Sequence, residues 1–238
     1  MLSQVFVRRW HWTAVALLGL LAWDAGGLDL SVAGAFATSH GFSLQNNWFL
    51  VQVMHEGARA LSWALALLLV AGIFVPRGFL RRLDIGERQQ LALGVVASVL
   101  LVAVIKHHSR TSCPWDVEAF GGVARHVSHW AWGQWDGGPG HCFPAGHASA
   151  GFAFMSGYFV LARHLPRLAR RWLFVAGMAG LVLGLAQQAR GAHYMSHTLW
   201  TAWLCWTAGL AIDTACRAWR TRAAQTPAHA ASVARDAQ

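Results

Sequence analysis

The sequence predicts an all-α, polytopic membrane protein with six transmembrane helices in one bundle. Composition is the first sign: of 238 residues, 55% are hydrophobic and only 12% charged, about half the charged share of a soluble domain. Apolar runs of about 17 to 25 residues recur, the length a helix needs to cross roughly 30 Å of hydrocarbon. Lipid offers the backbone no hydrogen bonds, so helices are the sensible spanning element. Basic residues, finally, alternate between the ends of these runs.

The expected spans are 12–26, 58–75, 90–106, 145–162, 172–189 and 198–216. Asp24 and Asp29 interrupt the far end of the first, and Arg8 and Arg9 ahead of it also fit a signal peptide. An uncleaved first span is preferred, because it gives an even number of crossings and a consistent charge map. Arg77, Arg81, Arg82 and Arg88 lie between spans two and three, and Arg163, Arg167, Arg170 and Arg171 between four and five. Arg217, Arg220 and Arg222 follow span six. The positive-inside rule then predicts a bacterial inner-membrane protein with both termini cytoplasmic. The formal charge of +9 is mostly this topology signal, with some attraction to anionic lipid heads. Nucleic-acid binding is a poor explanation, since the basic residues are spread over four loops. Residues 1–225 read as one membrane domain and 226–238 as a disordered cytoplasmic tail. Oligomeric state is left open.

The same map places 27–57, 107–144 and a short turn at 190–197 outside the cytoplasm. The first of these predicts a short interfacial helix in SVAGAFATSHGFSLQNNWFL. The second is rich in Gly, Trp and His, and a loop of that length is uncommon without a function. Cys113 and Cys142 both fall in it, in an oxidising periplasm. A disulfide there closes a loop worth about 3 to 4 kcal/mol in the chain-entropy model. The alternative is a metal site with His129 or His141 as further ligands, although no tight CxxC spacing supports it. Cys205 and Cys216, in span six, are expected to be free thiols.

Three chemically loaded patches share the outer side: KHHSRTSCP (Lys106 to Pro114), PAGH (Pro144 to His147) and RGAHYMSH (Arg190 to His197). In this order they resemble the type 2 phosphatidic acid phosphatase superfamily, whose pattern is KxxxxxxRP, PSGH and SRxxxxxHxxxD. Lys106 and Pro114 match the first motif; Pro144, Gly146 and His147 the second; His193 the third. The resemblance covers roughly Lys106 to Trp206. It departs at Cys113 and Gln187, which stand at the two arginine positions, at Ala145 and Ala186, which stand for serines, and at His197, which stands for the aspartate.

The resemblance implies a membrane lipid-phosphate phosphatase with its site at the periplasmic face. His193 would attack phosphorus to form a phosphohistidine, with no metal or other cofactor. His147 would protonate the leaving oxygen and then activate water. His197 would accept a hydrogen bond from His193, with Asp116, Glu118 or Asp136 of the outer loop as sources of the missing carboxylate. Lys106, Arg110 and Arg190 would bind phosphate oxygens. Backbone N–H groups of Ala145, Gly146 and His147 would add a helix N-terminus aimed at the anion. The implied partners are a lipid phosphate substrate and membrane lipids.

Each group also has a plainer reading. A lone histidine at a membrane boundary is usually an interfacial polar residue, and Lys106 alone is a snorkelling anchor. His107, His108, His126, His129 and His141 read as ordinary loop residues. His55, Glu56 and Arg59 read as an i,i+3 pairing, or more sharply as headgroup recognition. Rival functions are a lipid phosphotransferase using the same histidine, a catalytically inactive lipid-binding member, and a haem-binding electron carrier. The last needs paired histidines on facing helices, whereas these cluster at one surface.

Overall fold

The computed structural model describes residues 2–131 and 133–236, with side chains described from residue 7 to residue 223. Among them there is no strand, and the helices follow one another along a bundle. α1 (Leu2–Ala25) is followed at once by α2 (Leu28–Gly34), and the two are bent by 72°. Gly27 makes that turn in the left-handed region (φ 61°), which costs glycine nothing because it has no Cβ. The segment Phe49–Gly57 is π-helical and runs into α3 (Ala58–Phe74).

α4 (Ile85–His108) starts with a capping box. The Asp84 carboxylate accepts the Glu87 N–H at 2.7 Å, and Glu87 accepts the Asp84 N–H at 3.2 Å, a motif that satisfies two orphan donors of the first turn. After the outer loop the chain re-enters as four short pieces: a 3₁₀ turn Gly146–Ala148, α5 (Ser149–Phe152), a second 3₁₀ turn Ala153–Ser156 and α6 (Gly157–Leu161). Ser149 and Ser156 donate to carbonyls three residues back, Gly146 and Ala153, at 2.6 and 2.8 Å. Such local bonds compete with regular α winding. α7 (Pro166–Ala189) and α8 (Met195–Asp236) complete the bundle. The side chains of the expected tail, 226–238, lie outside the described residues.

Three helical stretches are by themselves long and apolar enough to cross a membrane: Phe49–Arg82, Ile85–His108 and Pro166–Ala189. The bent α1–α2 pair makes a fourth. The other two expected spans do not meet that criterion: 145–162 is split by its 3₁₀ turns, and 198–216 carries several Thr and Trp residues and Asp213. Close packing joins them to the rest. A Cβ at Gly151 would fall 2.2 Å from the Gly180 nitrogen, and Cβ atoms at Gly94 and Gly209 would fall 2.9 and 2.8 Å from Ser156 Cβ. Small residues at such crossings let membrane helices approach backbone to backbone.

One end of the bundle is closed by ions. Asp213, fully buried, meets Arg9 of α1 at 3.6 Å and Arg217 at 2.8 Å, and pairs with Arg163. Gln90 donates to the same carboxylate at 3.0 Å. Glu87 takes Arg163 (3.4 Å), His164 (2.9 Å) and, more loosely, Arg220 (3.8 Å). Arginines from three of the four predicted basic segments thus gather on two carboxylates. Nineteen residue steps of α4 separate Glu87 from Lys106, about 28 Å at helical rise and close to the hydrocarbon thickness. Removing one partner from a buried ion cluster leaves uncompensated charge, at a cost of about 3 to 5 kcal/mol. Asp213→Ala is therefore expected to lower the thermal unfolding midpoint in detergent sharply. Arg220→Ala, removing a half-exposed and distant partner, should cost about 1 kcal/mol or less. Equal effects would contradict this assignment.

Candidate active site

At the opposite end, three separate stretches converge. Lys106, in the last turn of α4, lies along the PAGH backbone: a Cβ at Gly146 would come 3.3 Å from Lys106 Cδ. Ala145, whose backbone N–H was expected to face phosphate, donates it instead to the His197 carbonyl at 3.3 Å, and the Thr201 hydroxyl bridges the carbonyls of Ala145 and His197 at 3.2 and 2.8 Å. These bonds lock the start of the fourth segment against α8. The turn carrying His193 is set by Gly191, left-handed at φ 75°. A Cβ there would fall 2.3 Å from Phe42, so conformation and crowding both demand glycine.

His193 is 4% and His197 1% exposed, and Lys106 lies within electrostatic range of both and of His147. His193 Nδ1 faces Cys142 Sγ at 3.5 Å, which leaves Nε2 for other partners. His147 stacks on His55 with ring centroids 3.5 Å apart, and its Nε2 is buried without a hydrogen-bond partner. Arg190 is 8% exposed. Its Nε donates to the Gln45 carbonyl at 2.9 Å, its Nη1 to Gln187 Oε1 at 3.0 Å, and its guanidinium lies over Trp115. Among the described residues, neither Lys106 nor Arg190 forms an ion pair with a carboxylate. Lys106, Arg190, His147 and His193 thus gather round the 145–147 turn, the two cations without a carboxylate partner among the described residues.

Cys113 and Cys142 form a disulfide. With both sulfurs bonded to each other, neither is a thiolate, which removes the metal reading of the pair. The rest of the outer loop is fixed by Asp136, whose carboxylate accepts from Ser112 N–H (2.6 Å), Ser112 Oγ–H (2.9 Å) and Gly138 N–H (3.0 Å). Cys205 and Cys216 are free.

Some expected residues stand elsewhere. Arg110 is exposed, donates to the Gly133 carbonyl at 3.4 Å and lines a separate hollow with His107, His108 and His141. The rings of His193 and His197 are 5.9 Å apart and form no hydrogen bond with each other. The loop carboxylates are committed or remote: Asp136 to Ser112, Asp116 to the Cys113 N–H at 3.3 Å, Glu118 exposed. The acids near His197 come instead from the broken first span. Asp24 and Asp29 line a small hollow with His126, His129, Tyr194 and His197. Asp29 also accepts the Ser196 N–H at 3.0 Å and the Ser196 hydroxyl, and so caps the start of α8. Their sequence signal was the cost of two carboxylates at a span's end. Stacking of His55 on His147 left none.

A family model described as the PAP2 superfamily matches residues 89–221, more than half of the chain. The chain belongs to the PAP2 superfamily. Its fold resembles the crystal structure of the first transmembrane PAP2-type phosphatidylglycerolphosphate phosphatase from Bacillus subtilis, with a TM-score of 0.53 and 18% identity. The match covers 88% of this chain and 96% of the other. No curated protein matches in sequence. In this PAP2 chain Gln187 stands where the motif has arginine, and it holds Arg190 through its side-chain oxygen.

Burial is the main reason that His193 and His197 have pKa values well below the ordinary 6.5, with the Lys106 ammonium adding to it. Unfolding restores both to the ordinary value. Below about pH 6.5 the unfolded chain therefore binds more protons, and the stability present above that pH is lost as pH falls. The unfolding midpoint in detergent is expected to drop between about pH 7 and pH 5. His197→Asn should flatten that slope, and a slope identical to wild type would contradict it.

Proposed function

We propose that the chain is a lipid-phosphate phosphatase of the bacterial inner membrane, working at the periplasmic face through a phosphohistidine at His193. The observation that carries this is a pair of cations, buried Arg190 and partly buried Lys106, without a carboxylate partner among the described residues and both within electrostatic range of His147. Such a pair asks for an anion, and Arg190 still has guanidinium N–H groups to give a phosphate. In the topology expected from the arginine pattern, with both termini inside, these groups lie at the outer surface, opposite the arginine–carboxylate cluster. Membership of the PAP2 superfamily supports phosphoryl transfer, and the named activity of the Bacillus subtilis protein supports a glycerolipid phosphate as substrate class.

In this reading the substrate's tails stay in lipid while its phosphate enters between Lys106 and Arg190. His193 Nε2 attacks phosphorus, a P–N bond forms and the P–O bond to the lipid breaks. His147, whose pKa burial and its cationic neighbours push down to about 3, takes up a proton alongside the bound phosphate dianion and gives it to the leaving oxygen. His147 then takes a proton from water as that water attacks phosphorus, releasing inorganic phosphate and restoring His193. A neutral imidazole is the nucleophilic form, and the burial that keeps His193 unprotonated serves this step.

The test is phosphate release from a panel of lipid phosphates by purified protein, with and without EDTA. His193→Ala is expected to reduce turnover at least about a thousandfold, and His147→Gln by about 10²–10⁴, both without shifting the unfolding midpoint more than a few degrees. Activity that survives His193→Ala, or that EDTA abolishes, would overturn the phosphohistidine reading.

A further inference from the structure

The hollow behind His197 has a character of its own. It is a cavity of about 60 Å³, room for about two to four waters. Among the described residues, Asp24 Oδ1, His129 Nε2, Tyr194 Oη and His197 Nδ1 are buried polar atoms without a hydrogen-bond partner. All four residues line this one cavity. Asp24 and His129 have side chains 7% and 6% exposed, and Tyr194 and His197 are each 1% exposed. Buried polar atoms in native proteins are paired, with water where protein does not reach. Three orphans, with His129 Nε2 reached only by Asp24 Oδ2 at 3.3 Å, round one polar cavity call for bridging water.

Its charges are ordered. His129 Nε2 lies 3.3 Å from Asp24 Oδ2, and that oxygen also accepts the indole N–H groups of Trp130 and Trp200 at 2.9 Å each. His129 stacks on Phe143 at 4.2 Å, and its ring is 5.8 Å from that of His197. His193 is one further ring away, at 5.9 Å. Asp29 and His126 complete the wall. A line of groups therefore runs from Asp24 through His129 to the His197 ring, with the His193 ring 5.9 Å beyond it.

We infer that Asp24, with His129, is the positioning residue that supplies the negative charge absent from position 197. This rests on His193 being the nucleophile and adds no bond-making step. When the P–N bond forms, the His193 ring becomes cationic. Waters in the cavity orient His197, and the Asp24 charge relayed through His129 stabilises that cation.

The experiment is a double-substitution cycle on the full chain in detergent, read by kcat, KM, pH profile and unfolding midpoint. Asp24→Asn keeps an oxygen for the two indoles and removes the charge. It is expected to lower kcat about tenfold to a hundredfold, with KM changed less than about threefold. His129→Gln should do the same. His197→Asp places a carboxylate beside His193, and in that background Asp24→Asn should cost about twofold or less. An Asp24→Asn effect of the same size in both backgrounds, or one confined to the unfolding midpoint, would make Asp24 a structural bracket for Trp130 and Trp200 and overturn the inference. Activity that depends on His193 but not on Asp24 would overturn it alone. A wild-type protein that releases no phosphate would overturn the phosphatase reading and this inference together.

Discussion

Lys106 and Arg190 are held largely out of water with no carboxylate among the described residues in ion-pairing reach, and an uncompensated cation in such a place is costly unless something anionic answers it. The fold spends its local structure on keeping them there. Arg190 is fixed from three directions, by the Gln45 carbonyl, the Gln187 side chain and the face of Trp115. Lys106 is laid along a glycine where a methyl group would crowd its stem. Neither arrangement brings a neutralising carboxylate to the site. Both aim its charge.

Around that pair, rigidity comes from covalent and hydrogen-bonded closure rather than from regular helix. The disulfide between Cys113 and Cys142 ties the end of the first motif to the approach of the second, with a sulfur against His193. Buried Asp136 gathers three donors from two parts of the outer loop. Asp29 reaches from the bent first span to cap α8. A site at a membrane surface has no lipid packing to hold its loops, and a long loop acquires fixed geometry only through such cross-links.

At the other end the same economy of charge is solved differently, with carboxylates and arginines brought into contact. Glu87 and Asp213 absorb Arg9, Arg163, Arg217 and, at longer range, Arg220. Buried carboxylates are thus met by arginines at one end, while Lys106 and Arg190 stand without a carboxylate partner among the described residues at the other. That asymmetry is the physical difference between an anchoring end and a binding end.

Much of this was legible in the residues. Apolar run lengths, the placement of arginines and the spacing of Lys106, His147 and His193 are linear properties, and each follows from chemistry that acts along the chain. The sequence therefore determined the helical membrane class, the three patches and the pairing of the two outer cysteines as one of two choices. It did not determine how many runs are regular helices, because the i−3 bonds of Ser149 and Ser156 are decided by local competition within a packed bundle. Nor did it reveal that Arg110 turns away, that His55 stacks on His147, or that Asp24 and Asp29 close round His197. Those contacts join residues many tens of positions apart, and only tertiary packing decides which side of a helix or loop meets which neighbour.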